Sequence, residues 1–499
     1  MKRNKVIALI ALVIVLAVAA AVLAACNVYE WDGIGMGDSA ADVVSNGGYY
    51  VEQGKYVYFI NGYVGSVDSN EWGSAFKQSI MRAEKNEDGT INNDTAKVVV
   101  PLSIYNSYAD GGFAVYGDWI YYATPNTSKD SSGTASTTHT DFMRTRTDGA
   151  VTQRIGTVAS RSSQYLFTPT RVLYTTDSST VYYYDFTGMS SDKSVDDGKG
   201  ASSGVLIENA SSILWGYDSV RSADQGIAVT DYVFYTETPT GDDSYRHYNN
   251  LCAVRYDGSD RQVLATYDTF LGEDDGPESY EKIFTYTLSE RSYVSDSEVT
   301  LYYTKSVYEG GTSAARGLFV NTATVKDGKL VFDAKAEIKV LETAPSAYFP
   351  LVGDNGILAT NNSKVYLIAT ADADGDGVAD NSGYTDVNLI IDAGESVTVQ
   401  AVIDGYVYYT DSDGALYRIN LVAGEGDSSN VRTVIASGVK TDALALDFAG
   451  NRIVWFNEDD YSYVYYLDLG AASDGFEGKM MGVMTDADAE AKAEAEEEE

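Results

Sequence analysis

Residues 399–437 read VQAVIDGYVYYTDSDGALYRINLVAGEGDSSNVRTVIAS. This stretch contains four short runs of β-branched and aromatic residues, separated by segments rich in Asp, Gly and Ser. Runs of this composition are typical of β-strands, and the segments between them are typical of turns. The stretch therefore predicts a unit of four short strands.

The second run of this unit, GYVYYTDS at 405–412, has counterparts along the whole chain. They are KYVYFING at 55–62, DWIYYATP at 118–125, TRVLYTTD at 170–177, DYVFYTET at 231–238, EVTLYYTK at 298–305, NGILATNN at 355–362 and NRIVWFNE at 451–458. Asp-Gly pairs at 148–149, 257–258 and 327–328 lie near the last turn of their units, where a tight hairpin favours residues that tolerate positive φ.

Repetition of a four-stranded unit at this spacing predicts an all-β fold. We expect residues 48–484 to form a single β-propeller of eight four-stranded blades, with the eight runs above as the second strand of each blade. Seven blades is the alternative number, because the third and fifth units have irregular lengths. An all-β solenoid is the alternative fold.

The repeats resemble those of propeller lipoproteins of unknown function in Gram-positive bacteria, which are similar in turn to low-density-lipoprotein-receptor propellers. The resemblance lies in an aromatic pair followed by Thr or Ser and an acid, then a strand and Asp-Gly. Tyr408-Tyr409-Thr410-Asp411, followed by LYRI, matches best, whereas Leu358-Ala359 replaces the aromatic pair in the sixth unit. This resemblance implies a fold and leaves the function open.

The N-terminus, MKRNKVIALIALVIVLAVAAAVLAAC, combines a basic start with a long apolar run that ends in small residues before Cys26. It resembles a bacterial lipoprotein signal, which implies that residues 1–25 are removed and that Cys26 carries the lipid. A plain signal anchor is the alternative, since about 20 apolar residues can span a bilayer. We expect residues 26–47 to form a flexible tether and the protein to lie on the outer face of the cell membrane.

The chain carries 73 acidic and 35 basic residues, for a net charge of −38. Such a surface repels nucleic acid and anionic lipid headgroups, so we expect membrane contact only through the lipid anchor. Residues 485–499, rich in Glu and Ala, are predicted to be an acidic disordered tail. Cys252 lies in an apolar run and is predicted to be a small core residue, with a reactive thiol as the alternative.

Residues 372–380, DADGDGVAD, place aspartates two residues apart around two glycines. Hard oxygen ligands at this spacing can surround a calcium ion, with Asp372, Asp374, Asp376 and Asp380 as carboxylate ligands and Val378 as a carbonyl ligand. Gly383 occupies the twelfth position, where an EF-hand requires a bidentate glutamate, which argues against an EF-hand.

The same nine residues resemble the calcium loops in the propeller hairpins of integrin α-subunits. Here too they lie between two predicted strands of one blade, and we expect them to hold a structural calcium ion. The alternative is an acidic turn that is merely solvated.

Motifs for catalysis are missing from the sequence: neither histidine has a metal-ligand spacing, and no GxSxG or phosphate loop occurs. We therefore expect a monomeric binding or scaffolding module for a protein or polysaccharide ligand. An enzyme acting on cell-surface glycans, a glycosidase or a lyase, is the alternative, because propeller glycosidases use carboxylates and this chain has many.

Overall fold

The structure is a computed structural model that describes part of the chain. The described residues are 35–38, 48–61, 79–103, 112–125, 139–159, 164–177, 179–190, 200–214, 227–238, 249–266, 282–309, 312–351, 356–380, 382–422, 424, 431–435, 447–449, 452–456, 464–469 and 478–482. The predicted signal peptide, Cys26 and the predicted acidic tail lie outside them. Within these ranges, no helix has the length and apolar character needed to cross a bilayer.

The first four blades are formed by sixteen strands. In chain order they are β1 (Tyr50–Gln53), β2 (Tyr56–Ile60), β3 (Ile80–Lys85), β4 (Ile91–Val100), β5 (Ala114–Tyr116), β6 (Trp119–Pro125), β7 (Thr140–Arg146), β8 (Thr152–Val158), β9 (Tyr165–Phe167), β10 (Arg171–Thr175), β11 (Val181–Asp185), β12 (Ser202–Ile207), β13 (Ala210–Ile213), β14 (Tyr232–Glu237), β15 (Asn250–Arg255) and β16 (Gln262–Thr266).

The last four blades are formed by the remaining strands of the described chain. They are β17 (Lys282–Ser295), β18 (Glu298–Glu309), β19 (Thr312–Lys326), β20 (Lys329–Phe332), β21 (Ile338–Leu341), β22 (Ala347–Pro350), β23 (Gly356–Asn361), β24 (Lys364–Ala369), β25 (Leu389–Asp392), β26 (Thr398–Ile403), β27 (Tyr406–Thr410), β28 (Leu416–Asn420), β29 (Arg432–Ile435), β30 (Asp447–Ala449), β31 (Arg452–Phe456), β32 (Val464–Asp468) and β33 (Lys479–Met481). Two 3₁₀ turns, Val229–Asp231 and Ala334–Ala336, accompany the fourth and fifth blades.

These strands form eight antiparallel sheets in the described chain, each built from consecutive strands. The sheets are the blades of an eight-bladed β-propeller, so the predicted fold and the predicted number of blades are confirmed. Strands β2, β6, β10, β14, β18, β23, β27 and β31 contain the eight repeated runs, and each is the second strand of its blade, as predicted. First strands of neighbouring blades approach one another, as β1 does with β5 and β30, which places them around the centre of the ring.

The hydrophobic core lies between the blades. One cluster joins the second and third blades through Phe142 and Tyr174, and the next joins the third and fourth through Leu173 and Tyr235. Corresponding clusters join each later blade to its neighbour. The aromatic pairs of the repeats supply much of this core because alternate residues of a strand face the two neighbouring blades.

Cys252 is buried in the core between the third and fourth blades. Its thiol is free, and burial raises its pKa to about 12. The prediction of a core cysteine is therefore confirmed. A thiol that stays protonated is a poor nucleophile, which argues against the alternative of a reactive thiol.

The ring closes between the eighth and first blades by side-chain contacts. The buried Arg452 guanidinium donates to Tyr50 Oη (2.7 Å), to Glu52 Oε1 (2.9 Å) and to Asp468 Oδ1 (2.8 Å). One apolar cluster also unites the eighth, first and second blades, with Val454 and Tyr466 packed beside the first blade. Each of the two terminal blades keeps its own four strands, so closure requires no exchange of a strand.

The fifth blade departs from the four-stranded pattern. Its third strand, β19, pairs with β20 over Ala323–Lys326 and with β21 over Leu318–Val320. The 3₁₀ turn at Ala334–Ala336 separates these two short strands. The position of a fourth strand is therefore filled by two strands in succession, which accounts for the irregular length of this unit.

Four residues of the predicted tether, 35–38, lie against the first and second blades. Arg82 Nη1 donates to the carbonyl oxygens of Gly35 (2.8 Å) and Thr147 (2.9 Å), and the Gly37 amide donates to Thr147 Oγ1 (3.1 Å). The other residues of the interval 26–47 lie outside the described chain.

Candidate functional site

The acidic motif lies in the long connection between β24 and β25, the third and fourth strands of the sixth blade. The connection turns sharply at Gly375 and Gly377, whose φ angles are 80° and 83°. Only glycine adopts this left-handed region readily, so both glycines are required by the path of the backbone. The motif thus lies between two strands of one blade, as predicted.

Asp372 organises the loop by accepting hydrogen bonds from its backbone. Its Oδ1 accepts from the amides of Gly375 (2.8 Å) and Asp376 (3.2 Å), and its Oδ2 accepts from the amide of Gly377 (2.8 Å). These bonds, led by that from Gly377, lower the pKa of the Asp372 carboxyl group. The loop is therefore wrapped around an ionised carboxylate.

Asp374 and Asp376 bring two more carboxylates to the same place. Oxygen atoms of Asp372, Asp374 and Asp376 all lie within 4.8 Å of one another. The hydrogen bond from the Asp376 amide lowers the pKa of Asp374, but repulsion from the Asp376 carboxylate, desolvation, and a hydrogen bond and repulsion from Asp372 together outweigh it, and the pKa is raised overall. The arrangement thus concentrates negative charge at one exposed point.

Asp380 and Val378 occupy different places from this cluster of three carboxylates. Asp380 Oδ2 accepts from the Ala373 amide (2.7 Å) and its own amide donates to the Ala371 carbonyl (2.7 Å), so it closes the base of the loop. The Gly377 carbonyl and the Ala379 amide both bond to Lys339 of β21. Because backbone groups alternate in direction along an extended segment, the Val378 carbonyl points away from Lys339.

Pairing of this loop with the neighbouring blade was not predicted from the sequence. The Lys339 amide donates to the Gly377 carbonyl (2.9 Å) and the Ala379 amide donates to the Lys339 carbonyl (2.9 Å), which makes a parallel bridge between Lys339 and Val378. Backbone pairing of this kind depends on the path of the chain, and no pattern of side chains predicts it. The loop therefore joins the fifth and sixth blades.

A second feature that the sequence did not indicate is a cavity of about 300 Å³ between the sixth and seventh blades. Its walls include Glu395, Asp411, Tyr409 and Tyr417. Tyr409 and Asp411 belong to the repeated aromatic–Thr–acid pattern, which was the available signal. That pattern occurs in several units and does not by itself single out this one.

No protein-family model and no curated protein matches the chain. Among solved structures it is similar to Sqt1 from Saccharomyces cerevisiae, with 8% identity, a TM-score of 0.37 and coverage of 91% of this chain and 99% of that chain. It is also similar to BamB from Moraxella catarrhalis, with 11% identity, a TM-score of 0.31 and coverage of 77% and 92%.

A further similarity is to the β-propeller domain of Swd1 from Myceliophteria thermophila, with 9% identity, a TM-score of 0.34 and coverage of 70% and 93%. Similarities at this level carry no argument about function.

Proposed function

We propose that the protein is a lipid-anchored, extracytoplasmic binding or scaffolding module in which the acidic loop of the sixth blade holds a structural calcium ion. The observation that carries the calcium proposal is the convergence of the Asp372, Asp374 and Asp376 carboxylates, organised by three backbone amides on Asp372. β-Propellers commonly act as binding or scaffolding modules, and the anchor is supported by the sequence that precedes Cys26.

The donor set fits calcium in its chemistry. Calcium takes six to eight oxygen ligands from carboxylates, carbonyls and water, and tolerates irregular geometry. Asp372, Asp374, Asp376 and the Val378 carbonyl would supply the protein ligands, with water for the rest. Asp380 was predicted as a further ligand, and its bond to the Ala373 amide suits it to holding the loop closed around them.

The consequence of binding would be structural. A cation among these carboxylates would remove their mutual repulsion and hold the loop in the shape that pairs with Lys339. Because this pairing joins two blades, binding should stabilise the ring as a whole. With few protein ligands the dissociation constant should be about 10⁻⁴ to 10⁻³ M, as in other extracellular calcium modules.

Thermal unfolding with and without calcium tests the proposal. At tenfold excess over its dissociation constant, calcium should stabilise the protein by about 1.4 kcal/mol, and chelator should reverse the effect. Asp374→Ala should abolish this response, whereas Asp386→Ala, which removes an exposed carboxylate from the same connection, should keep it. If calcium does not change the melting temperature, or if both variants respond equally to calcium, the loop is a solvated acidic turn that does not bind calcium.

The anchor and the binding role need their own measurements. Mass spectrometry of the mature chain should find a lipidated Cys26 at its N-terminus, and a chain that begins at Met1 would contradict the anchor.

Cell-wall polysaccharides incubated with the protein should be retained without release of sugars. Released sugars would favour the glycan-acting enzyme instead.

A further inference from the structure

The cavity between the sixth and seventh blades lies where β25 of one blade faces β27 and β28 of the next. Its volume of about 300 Å³ is that of a small ligand pocket. One wall is apolar, formed by Ile390, Ile391 and Ile419, which are buried in the cluster that joins the two blades. These side chains expose 2% or less of their surface and form the floor of the cavity, whereas Asp392 and Glu395 are exposed at its rim.

Aromatic rings form another part of the wall. Tyr409 and Tyr417 stack with their ring centroids 5.4 Å apart and an angle of 22° between the planes. Burial, together with a hydrogen bond to Asp411, raises the pKa of Tyr417, so its ring stays a neutral phenol at physiological pH. Neutral tyrosine rings attract ammonium groups through their electron-rich faces.

Carboxylates line the cavity beside these rings, and none of the described residues that line it is basic. Asp392 is paired with Lys364 Nζ (2.8 Å), but within the described chain neither Glu395 nor Asp411 has an ion pair. Both are held in position: Ser412 Oγ donates to Glu395 Oε2 (2.8 Å), and the amides of Asp413 (3.0 Å) and Ala415 (2.9 Å) donate to Asp411 Oδ1. Two positioned negative charges thus face a partly apolar space.

We propose that this cavity binds a small aliphatic amine of the diamine or polyamine class. One ammonium group would contact Glu395 and Asp411, the methylene chain would lie against the Tyr417 ring and Val431 above the isoleucine floor, and the second ammonium group would lie in solvent at the open side. A hydrated metal ion would leave the apolar wall unused, and an anion would be repelled. The net charge of −38 raises the local concentration of any cation around the whole molecule. This inference rests on the proposed binding role and names one ligand class for it.

Calorimetry on the full chain with 1,5-diaminopentane tests the inference, at 150 mM salt and with calcium at saturation so that the acidic loop is occupied. Wild-type protein should bind one equivalent, and 1,5-pentanediol, which has the same chain without charge, should not bind. Asp411→Asn and Glu395→Gln keep the hydrogen-bond acceptors, and each should weaken binding about tenfold through loss of a charge-assisted bond. Glu87→Gln, an exposed acid of the first blade, is the matched control and should leave affinity unchanged.

Three results with wild-type protein and the charge-neutralising variants would overturn the inference. They are absence of saturable binding, equal binding of the diol, and equal weakening by Glu87→Gln and Asp411→Asn, since the last would mean that overall charge attracts the amine. Asp374→Ala separates this site from the calcium loop. If that variant loses its calcium response and still binds the diamine, the two sites are independent, whereas loss of diamine binding there would place the amine in the loop and contradict the cavity.

Discussion

Aspartates that accept hydrogen bonds from the backbone shape many of the turns in this ring. Asp177 accepts from the amides of Ser179 and Thr180, and Asp372 accepts from three amides of its loop. In both cases backbone N–H groups favour the ionised carboxylate, which lowers the pKa. Such a bond is local, so the turn chemistry could be anticipated from the residue types alone.

This pattern predicts how the metal-free protein responds to acid. A carboxyl group whose pKa is lower in the folded state contributes stability above its unfolded pKa, near 3.9, and loses it as the pH falls through the folded value. Above about pH 5 both carboxylates stay ionised, so their titration should not change the melting temperature. Below pH 4 they become protonated, and the melting temperature should fall. The measurement is thermal unfolding in chelator between pH 2 and 7.

Asparagine substitutions provide the control for this acid response. Asn keeps a carbonyl acceptor but does not titrate, so the double variant Asp177→Asn, Asp372→Asn should show a shallower fall below pH 4 than wild type. Asp386→Asn, at an exposed site outside these turns, should follow the wild-type curve. A double variant with the wild-type slope would show that these carboxylates do not carry the response.

At the scale of elements, local patterns were sufficient to predict the strands and several turns. The repeated runs form strands because successive side chains of a strand point to opposite faces of the sheet. In a blade, each face packs against a neighbouring blade, so both sets of apolar side chains are buried. Asp327 and Gly328, with φ of 52° and 73°, form the two-residue turn between β19 and β20 that their types indicate. The bridge from Val378 to Lys339 could not be predicted, because it depends on where two distant segments meet.

The acidic loop offers a test at this scale through its glycines. Gly377→Ala places a Cβ on a backbone with φ of 83°, where nothing crowds it but the conformation is strained. The cost should be about 1 kcal/mol, and relaxation of the strain should move the Asp372 carboxylate and weaken calcium binding. The measurement is calcium-dependent thermal unfolding.

Gly35→Ala is the control for the glycine substitution, since its Cβ also has open space and its φ lies outside the strained region. It should leave both stability and the calcium response near wild type. If Gly377→Ala behaves in the same way, the left-handed turn is not what holds the carboxylates together.

The closure of the whole ring rests on contacts between residues about four hundred positions apart. Arg452 of the eighth blade reaches Tyr50 and Glu52 of the first, and Tyr49 Oη donates to the Val454 carbonyl (2.8 Å). The sequence showed that the first and last units are both complete but not how they meet. Nothing in the pattern of a single strand specifies a partner so far along the chain, and the same holds for the cavity between the sixth and seventh blades.

Arg452 tests this closure directly. Arg452→Met removes a buried guanidinium, leaves Asp468 without its cation and leaves Glu52 paired with Lys85 alone, so the free energy of unfolding should fall by about 1–3 kcal/mol. Lys55→Met breaks the exposed pair with Glu84 and should cost less than about 1 kcal/mol. Chemical denaturation of the two variants compares them, and equal losses would contradict a closure that depends on Arg452.

A crystal structure grown in millimolar calcium chloride would show whether the acidic loop binds calcium. We expect an anomalous density peak 2.3–2.6 Å from oxygens of Asp372, Asp374 and Asp376 and from the Val378 carbonyl, with the bridge to Lys339 intact. A well-ordered loop with water alone between these carboxylates, or carboxylates turned away from one another, would contradict it.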